Sequence, residues 1–253
     1  SQPVMGIIRK KFLQRNKKLI SINIFMKKYI IILLLFNISL NAQKIGVVEK
    51  FKSNLQHAHA SLVIGENTKV VEDLNYDIKP HIDSIFMNKN IQFEKIENFD
   101  FSIINGYNGV YLNWNKEIEE KLKKFCLDNG IDGLILLFSV NDPKYSIQPN
   151  RTLYKQNFDF GIITSGGIKK QLYFFNNLKI LYYTVKSNRL NYPILKRDES
   201  LSITQNFKKY DEFVFDTKTK KLLNPEKAKK DFLKDFFYRI DASFNEVFRE
   251  IKK

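Results

Sequence analysis

Apolar and polar positions change their period several times along the chain, and each change marks an element. The run Lys44-Ile45-Gly46-Val47-Val48-Glu49-Lys50-Phe51 predicts a buried first strand. Asp77 is placed to cap a helix in which Ile78, Ile82, Ile85 and Phe86 recur at helical spacing. Ile91-Gln92-Phe93-Glu94-Lys95-Ile96 reads as a second strand. After an Asn- and Gly-rich loop over 105–113, a second helix over 115–127 carries Ile118, Leu122, Phe125 and Cys126 on one stripe, with Asn129-Gly130 as its stop. Gly133-Leu134-Ile135-Leu136-Leu137-Phe138 is apolar at every position, which suits a central strand covered on both faces.

Beyond Asn141 the pattern turns to strands. Phe158–Thr164, Leu172–Phe175 and Leu178–Lys186 have β character, with Asn176-Asn177 as either a tight turn or a bulge within one long strand. The stretch 192–209 is polar and ambiguous, and 210–215 reads as a short strand or loop. Asn224 then caps a long helix with Pro225 at its first position, and Ala228, Phe232, Phe236, Ile240, Phe244, Val247 and Ile251 keep near-helical spacing to the end. Phe232, Phe236, Phe237, Phe244 and Phe248 extend over more than one stripe and read as core packed on the sheet, the alternative being that the second aromatic edge, Phe237 and Phe248, meets a partner. Strand, helix, strand, helix, buried strand argues for a parallel βαβαβ first half. The expected fold class is therefore α/β, a two- or three-layer mixed sheet with a β-rich second half and a long C-terminal helix. No repeat or low-complexity linker divides 43–253, which reads as one domain.

Ahead of that domain the pattern is different. Met26-Lys27-Lys28 is a short positive segment, Tyr29 to Phe36 is an unbroken apolar run, and Asn37 to Gln43 holds small and polar residues. This order defines a cleavable export signal over 26–42, cut between Ala42 and Gln43. Eight apolar residues before Asn37 fall short of the roughly 20 that span a bilayer. Gln43 stands where a lipoprotein would need cysteine, so no stable membrane anchor is expected after cleavage. Ser1–Phe25, rich in Arg and Lys, reads as upstream read-through or added sequence, with Met26 a better start than Met5. The expected location is a bacterial periplasm or the medium.

Charge changes meaning once that segment is set aside. The whole chain has a formal net charge of +15, but eight of its 42 bases and none of its 27 acids precede Gln43. The remainder has 34 bases against 27 acids, a net +7. Lysine dominates over arginine, whereas phosphate and base-edge readout favours arginine forks, so nucleic acid is not an expected partner. Cys126 is the single cysteine, so no intrachain disulfide is available in an oxidising compartment. On the apolar stripe it reads as a small buried hydrophobe.

Few residues suggest chemistry. His57-Ala58-His59 on a strand puts two imidazoles on one face, a spelling that can ligate zinc. A hydrolase would want a third ligand, and Glu66, Glu72, Asp73 and His81 are the nearby candidates. Ser165-Gly166-Gly167 lacks the first glycine of a nucleophile elbow and reads as a turn. Phe51-Lys52-Ser53-Asn54-Leu55 offers no glycine-rich phosphate loop after the first strand, so no nucleotide cofactor is expected. Asn150-Arg151-Thr152 spells a glycosylation triplet, of no consequence in a bacterial exporter.

Lys44–Phe51 after the export signal, Gly130-Ile131-Asp132-Gly133-Leu134-Ile135-Leu136 after a helix, and the later strand Leu178–Lys186 give an order of elements that resembles periplasmic α/β domains of the TolB N-terminal and curli-secretion lipoprotein type. The resemblance spans about Lys44 to Lys186 and implies work through protein contacts in the cell envelope. The expected function is a non-enzymatic exported protein with a protein partner in that envelope. The alternatives are a metal-dependent hydrolase using His57 and His59, and a secreted effector or adhesin.

Overall fold

The computed structural model describes residues 43–61, 68–87, 89, 91–104, 107, 116–140, 158–166, 170–201, 204–210 and 214–253. The export-signal segment 26–42, the upstream segment 1–25 and the triplet at 150–152 lie outside them. Lys44–Lys253 groups as one unit by internal contacts. Ten strands and, among the described residues, three α-helices make it a mixed α/β fold.

Two five-stranded sheets organise the unit. The first has the order β4-β1-β5-β8-β9, from Gln92–Lys95, Lys44–Lys50, Gly133–Ser139, Leu178–Thr184 and Arg189–Asn191. β1 runs parallel to both β4 and β5, and β8 and β9 continue antiparallel. The second has the order β10-β7-β6-β2-β3, from Thr204–Lys208, Gln171–Asn176, Phe160–Ser165, Asn54–Ala60 and Lys69–Asp77. Here only β2 and β6 are parallel. The expected βαβαβ order survives in the first sheet, but β2 and β3 interrupt it by leaving for the second.

Side-chain alternation explains the layers. On β5, Ile135 and Leu137 join a core with Ile45, Ile180 and the C-terminal helix α3, Pro225–Ile251. Leu134, Leu136 and Phe138 face the other way, onto α2, Lys116–Asp128, through Ile118, Leu122 and Cys126. The strand is buried at all seven positions because both faces are covered. Phe160, Ile162, Leu172 and Phe174 of the second sheet meet the same α3, so one helix closes a core drawn from both sheets. Each fully buried aromatic or aliphatic side chain on it contributes about 1.5–3 kcal/mol.

Local signals end the helices where the chain spells them. Asn224 Oδ1 accepts the Lys227 N–H at 3.2 Å, with Pro225 opening α3. Gly130, at φ +61°, stops α2 while Ile131 N–H returns to Cys126 O at 3.0 Å. Asp77 is not the cap of α1, Lys79–Phe86: Ile78 holds the N-cap position without a side-chain cap bond, and Asp77, ending β3, accepts the Lys79 N–H on Oδ1 at 2.8 Å.

Asn176-Asn177 is neither hairpin turn nor bulge. β7 before it belongs to the second sheet and β8 after it to the first, so the chain changes sheets there. Asn177 N–H donates to Asp159 O at 2.7 Å, and Asn177 O accepts Val140 N–H at 3.1 Å. The Asp159 carboxylate accepts the Ser139 hydroxyl at 2.6 Å and the Lys52 N–H at 2.7 Å. Backbone groups at the crossing are thereby satisfied away from water.

Phe237 and Phe248 pack within the chain, as the core reading expects: Phe248 is buried and Phe237 is partly buried against the same core. Phe237 stacks on His81 at 3.8 Å between ring centroids and meets Tyr76. Phe248 packs against Phe86 and Phe93 and lies 4 % exposed. Helix α1 and β4 cover this edge because α3 is buried over more than one stripe.

Candidate functional site

Strand alternation on β2 sends Leu55, His57 and His59 to the core side, with Ala58 and Ala60 behind. The parallel register sets His57 beside Ile162 and His59 beside Thr164, and the antiparallel register sets His57 opposite Glu72 of β3. Four polar side chains thus meet inside the second sheet. His57 Nδ1 lies 2.9 Å from Glu72 Oε1, and His57 Nε2 lies 2.9 Å from Thr164 Oγ1. His59 Nδ1 lies 2.9 Å from that same hydroxyl oxygen. Leu222 N–H donates to Glu72 Oε1 at 2.8 Å. Phe215, bridged to Leu222, presents its ring to His59 at 4.6 Å, and Lys170 Nζ stands 5.1 Å over that ring.

Burial sets the electrostatics. His57 and Thr164 are wholly inaccessible. Loss of solvent lowers the His57 pKa from 6.5 to about 4, against the opposing pull of the Glu72 hydrogen bond and charge. His59 is lowered too, by burial first and then by the charge of Lys220. Both imidazoles are neutral at pH 7, so each ring has one N–H donor and one acceptor nitrogen.

The structure brings His57 and His59 onto one face, as their spacing predicts, and joins them through Thr164. Among the described residues, Glu72 is the only one of the nearby candidates to contact the pair. Asp73 instead accepts the Asn75 N–H at 2.7 Å, Glu66 lies outside the described residues, and His81 sits on α1 with Nε2 2.8 Å from Asp241 Oδ1. The ring nitrogens that face each other are both occupied by the Thr164 hydroxyl, and Glu72 lies on the far side of His57. A metal held between the rings would have to displace that hydroxyl. Among the described residues, no three His, Cys, Asp or Glu side chains are grouped to hold a metal.

Thr164, 107 positions from His57, carries no signal of its own in sequence, and strand pairing delivers both it and the nearby candidate Glu72, 15 positions away. An open groove of about 290 Å³ between α1 and α3, lined by His81, Ser84, Met87, Lys89, Asp241 and Asn245, is equally invisible to spacing. Cys126 is fully buried, and burial pushes its thiol up to about 12. Ser165 closes β6 on the face opposite Thr164, and Gly166 N–H bonds Ala60 O at 3.1 Å. No protein-family model, curated protein or solved structure matches the chain.

Proposed function

We propose that this chain is an exported protein of the bacterial cell envelope that acts by contact with a protein partner. The observation that carries the reading is a sheet edge. β9 is the last strand of the first sheet, and the chain beyond it exposes Tyr192 at 42 % and Ile194 at 76 %, with Pro193 turned inward between them. Tyr107 and Glu119 side chains bond the Leu190 carbonyl and N–H of this edge strand, and the large apolar side chains exposed just beyond it favour a docked partner over open water. The signal pattern over 26–42 supports export, and the envelope families that the chain resembles point to the same kind of work. Among the described residues, no helix is long and apolar enough to cross a membrane.

The test is a photo-crosslinking residue at Ile194, with exposed Leu127 on α2 as the control position. In intact cells a discrete adduct at position 194, absent at 127, is expected. A folded, exported protein that yields no adduct at 194 overturns the contact reading. Fractionation with N-terminal sequencing checks the address, the expected mature end being Gln43.

A further inference from the structure

β9 ends at Asn191, paired with Tyr182 of β8, but the chain beyond it stays extended. Tyr192, Ile194 and Lys196 are exposed, while Pro193 is buried and Leu195 half-buried between them. In and out at every second residue is the side-chain period of a strand, and Pro193 disfavours the helical region at Tyr192.

The backbone follows the same alternation. N–H and C=O groups two residues apart on a strand point to the same side. At Leu190 that side is closed: the carbonyl accepts the Tyr107 hydroxyl at 2.9 Å, and the N–H donates to Glu119 Oε1 at 3.3 Å. At Tyr192 and Ile194 the backbone groups have no hydrogen-bond partner among the described residues. Pro193, with no N–H to give, falls at the intervening position, where this side asks for none.

Charge on the segment has one sign. Over 186–197 the chain has four basic residues and no acid. Lys196 continues the exposed row of Tyr192 and Ile194, and exposed Arg197 follows it. Neither forms an ion pair among the described residues. Asp198 and Glu199 come only after a turn, in which the Glu199 and Ser200 N–H groups both return to Lys196 O at 3.0 Å. Arg239 of α3 donates to Arg197 O at 3.1 Å and fixes the end of the segment.

We propose that the segment 192–196 binds an acidic, aliphatic stretch of the partner protein as an added strand. This rests on the contact reading above and names the chemistry of the partner. Tyr192 and Ile194 pair with its backbone and cover its aliphatic side chains, and Lys196 and Arg197 meet its carboxylates. A lipid surface is the other anionic target, but it cannot pair with an extended backbone.

Binding is read by fluorescence anisotropy with labelled octapeptides in which glutamate alternates with valine, or lysine with valine. The acidic peptide is expected to bind the native chain about tenfold more tightly than the basic one. A chain with both Lys196→Glu and Arg197→Glu should reverse that order. The acidic peptide should also protect the Tyr192 and Ile194 amides from hydrogen exchange. Equal affinities, or amides left unprotected, overturn the added strand. Binding to phosphatidylglycerol vesicles in place of the acidic peptide overturns it in favour of a lipid surface. In cells, the Ile194 adduct should fall about tenfold in the charge-reversed chain. An undiminished adduct overturns the acidic stretch and leaves the contact standing, whereas no adduct in the native chain overturns the contact itself.

Discussion

His57 is wholly buried yet lies 2.9 Å from the Glu72 carboxylate, and it stays neutral because the loss of water outweighs the attraction of its partner. The unfolded chain binds a proton on this imidazole near pH 6.5, whereas the folded chain does so only near 4. Its contribution to stability is therefore complete above about pH 6.5 and is lost as pH falls toward 4. The span is on the order of 3 kcal/mol, and His59 acts in the same direction. Urea unfolding at pH 7.5, 6, 5 and 4.5 should show falling stability, with a shallower slope in His57→Asn. A flat profile from 7 to 5 would contradict this account.

Zinc discriminates the metal reading of His57 and His59 from the hydrogen-bonded one. Because the Thr164 hydroxyl occupies the nitrogens that face each other, micromolar zinc is expected to leave the melting temperature unchanged. Protein dialysed against zinc should carry none by elemental analysis. A stoichiometric ion, lost in the His57→Ala, His59→Ala double variant, would restore the hydrolase reading.

Gly161 is the backbone condition for the site. Its φ of +150° disfavours any other residue, and a Cβ there would overlap Gln56 O on the paired strand. Gly161→Ala should lower stability by about 3 kcal/mol. It should also disturb the register that aligns His59 with Thr164. The measurement is denaturant unfolding together with the imidazole NMR signals; unchanged signals in a destabilised protein would separate the two effects.

Cys126 should be chemically silent. With its thiol fully buried and held near 12, maleimide labelling of the native protein at pH 7.5 should be slow and should follow unfolding. Rapid labelling under native conditions would place the thiol elsewhere.

What the sequence discloses about this fold is its local physics. β5 is legible because six apolar positions in a row, Gly133 to Phe138, have no other use, and α3 because Asn224, Pro225 and an apolar stripe at helical spacing repeat one message. β3 is not legible: it is an edge strand with one buried position, so its residues follow no clean alternation. β10 lies in the polar stretch 192–209 for the same reason. His57 and His59 could be placed on one face by counting and Glu72 named as a neighbour in sequence, but Thr164 could not, since only pairing with a strand 107 positions away brings it there. The aromatic edge of Phe237 and Phe248 reads as core from its helical spacing, while the elements that cover it, α1 and β4, are brought there only by the fold.

The crossing at Asn176-Asn177 is one of several. In chain order the strands belong to the first sheet, then twice to the second, twice to the first, twice to the second, twice to the first, and once more to the second. A chain threading N-terminus first out of a ribosome or through a translocation pore cannot complete the first sheet until β9 emerges, nor the second until β10 does. Any single cut between β2 and β9 leaves both sheets with strands on either side. The interleaving thus delays folding to the last quarter of the chain, keeps the earlier part threadable, and leaves no half that can settle into shape alone.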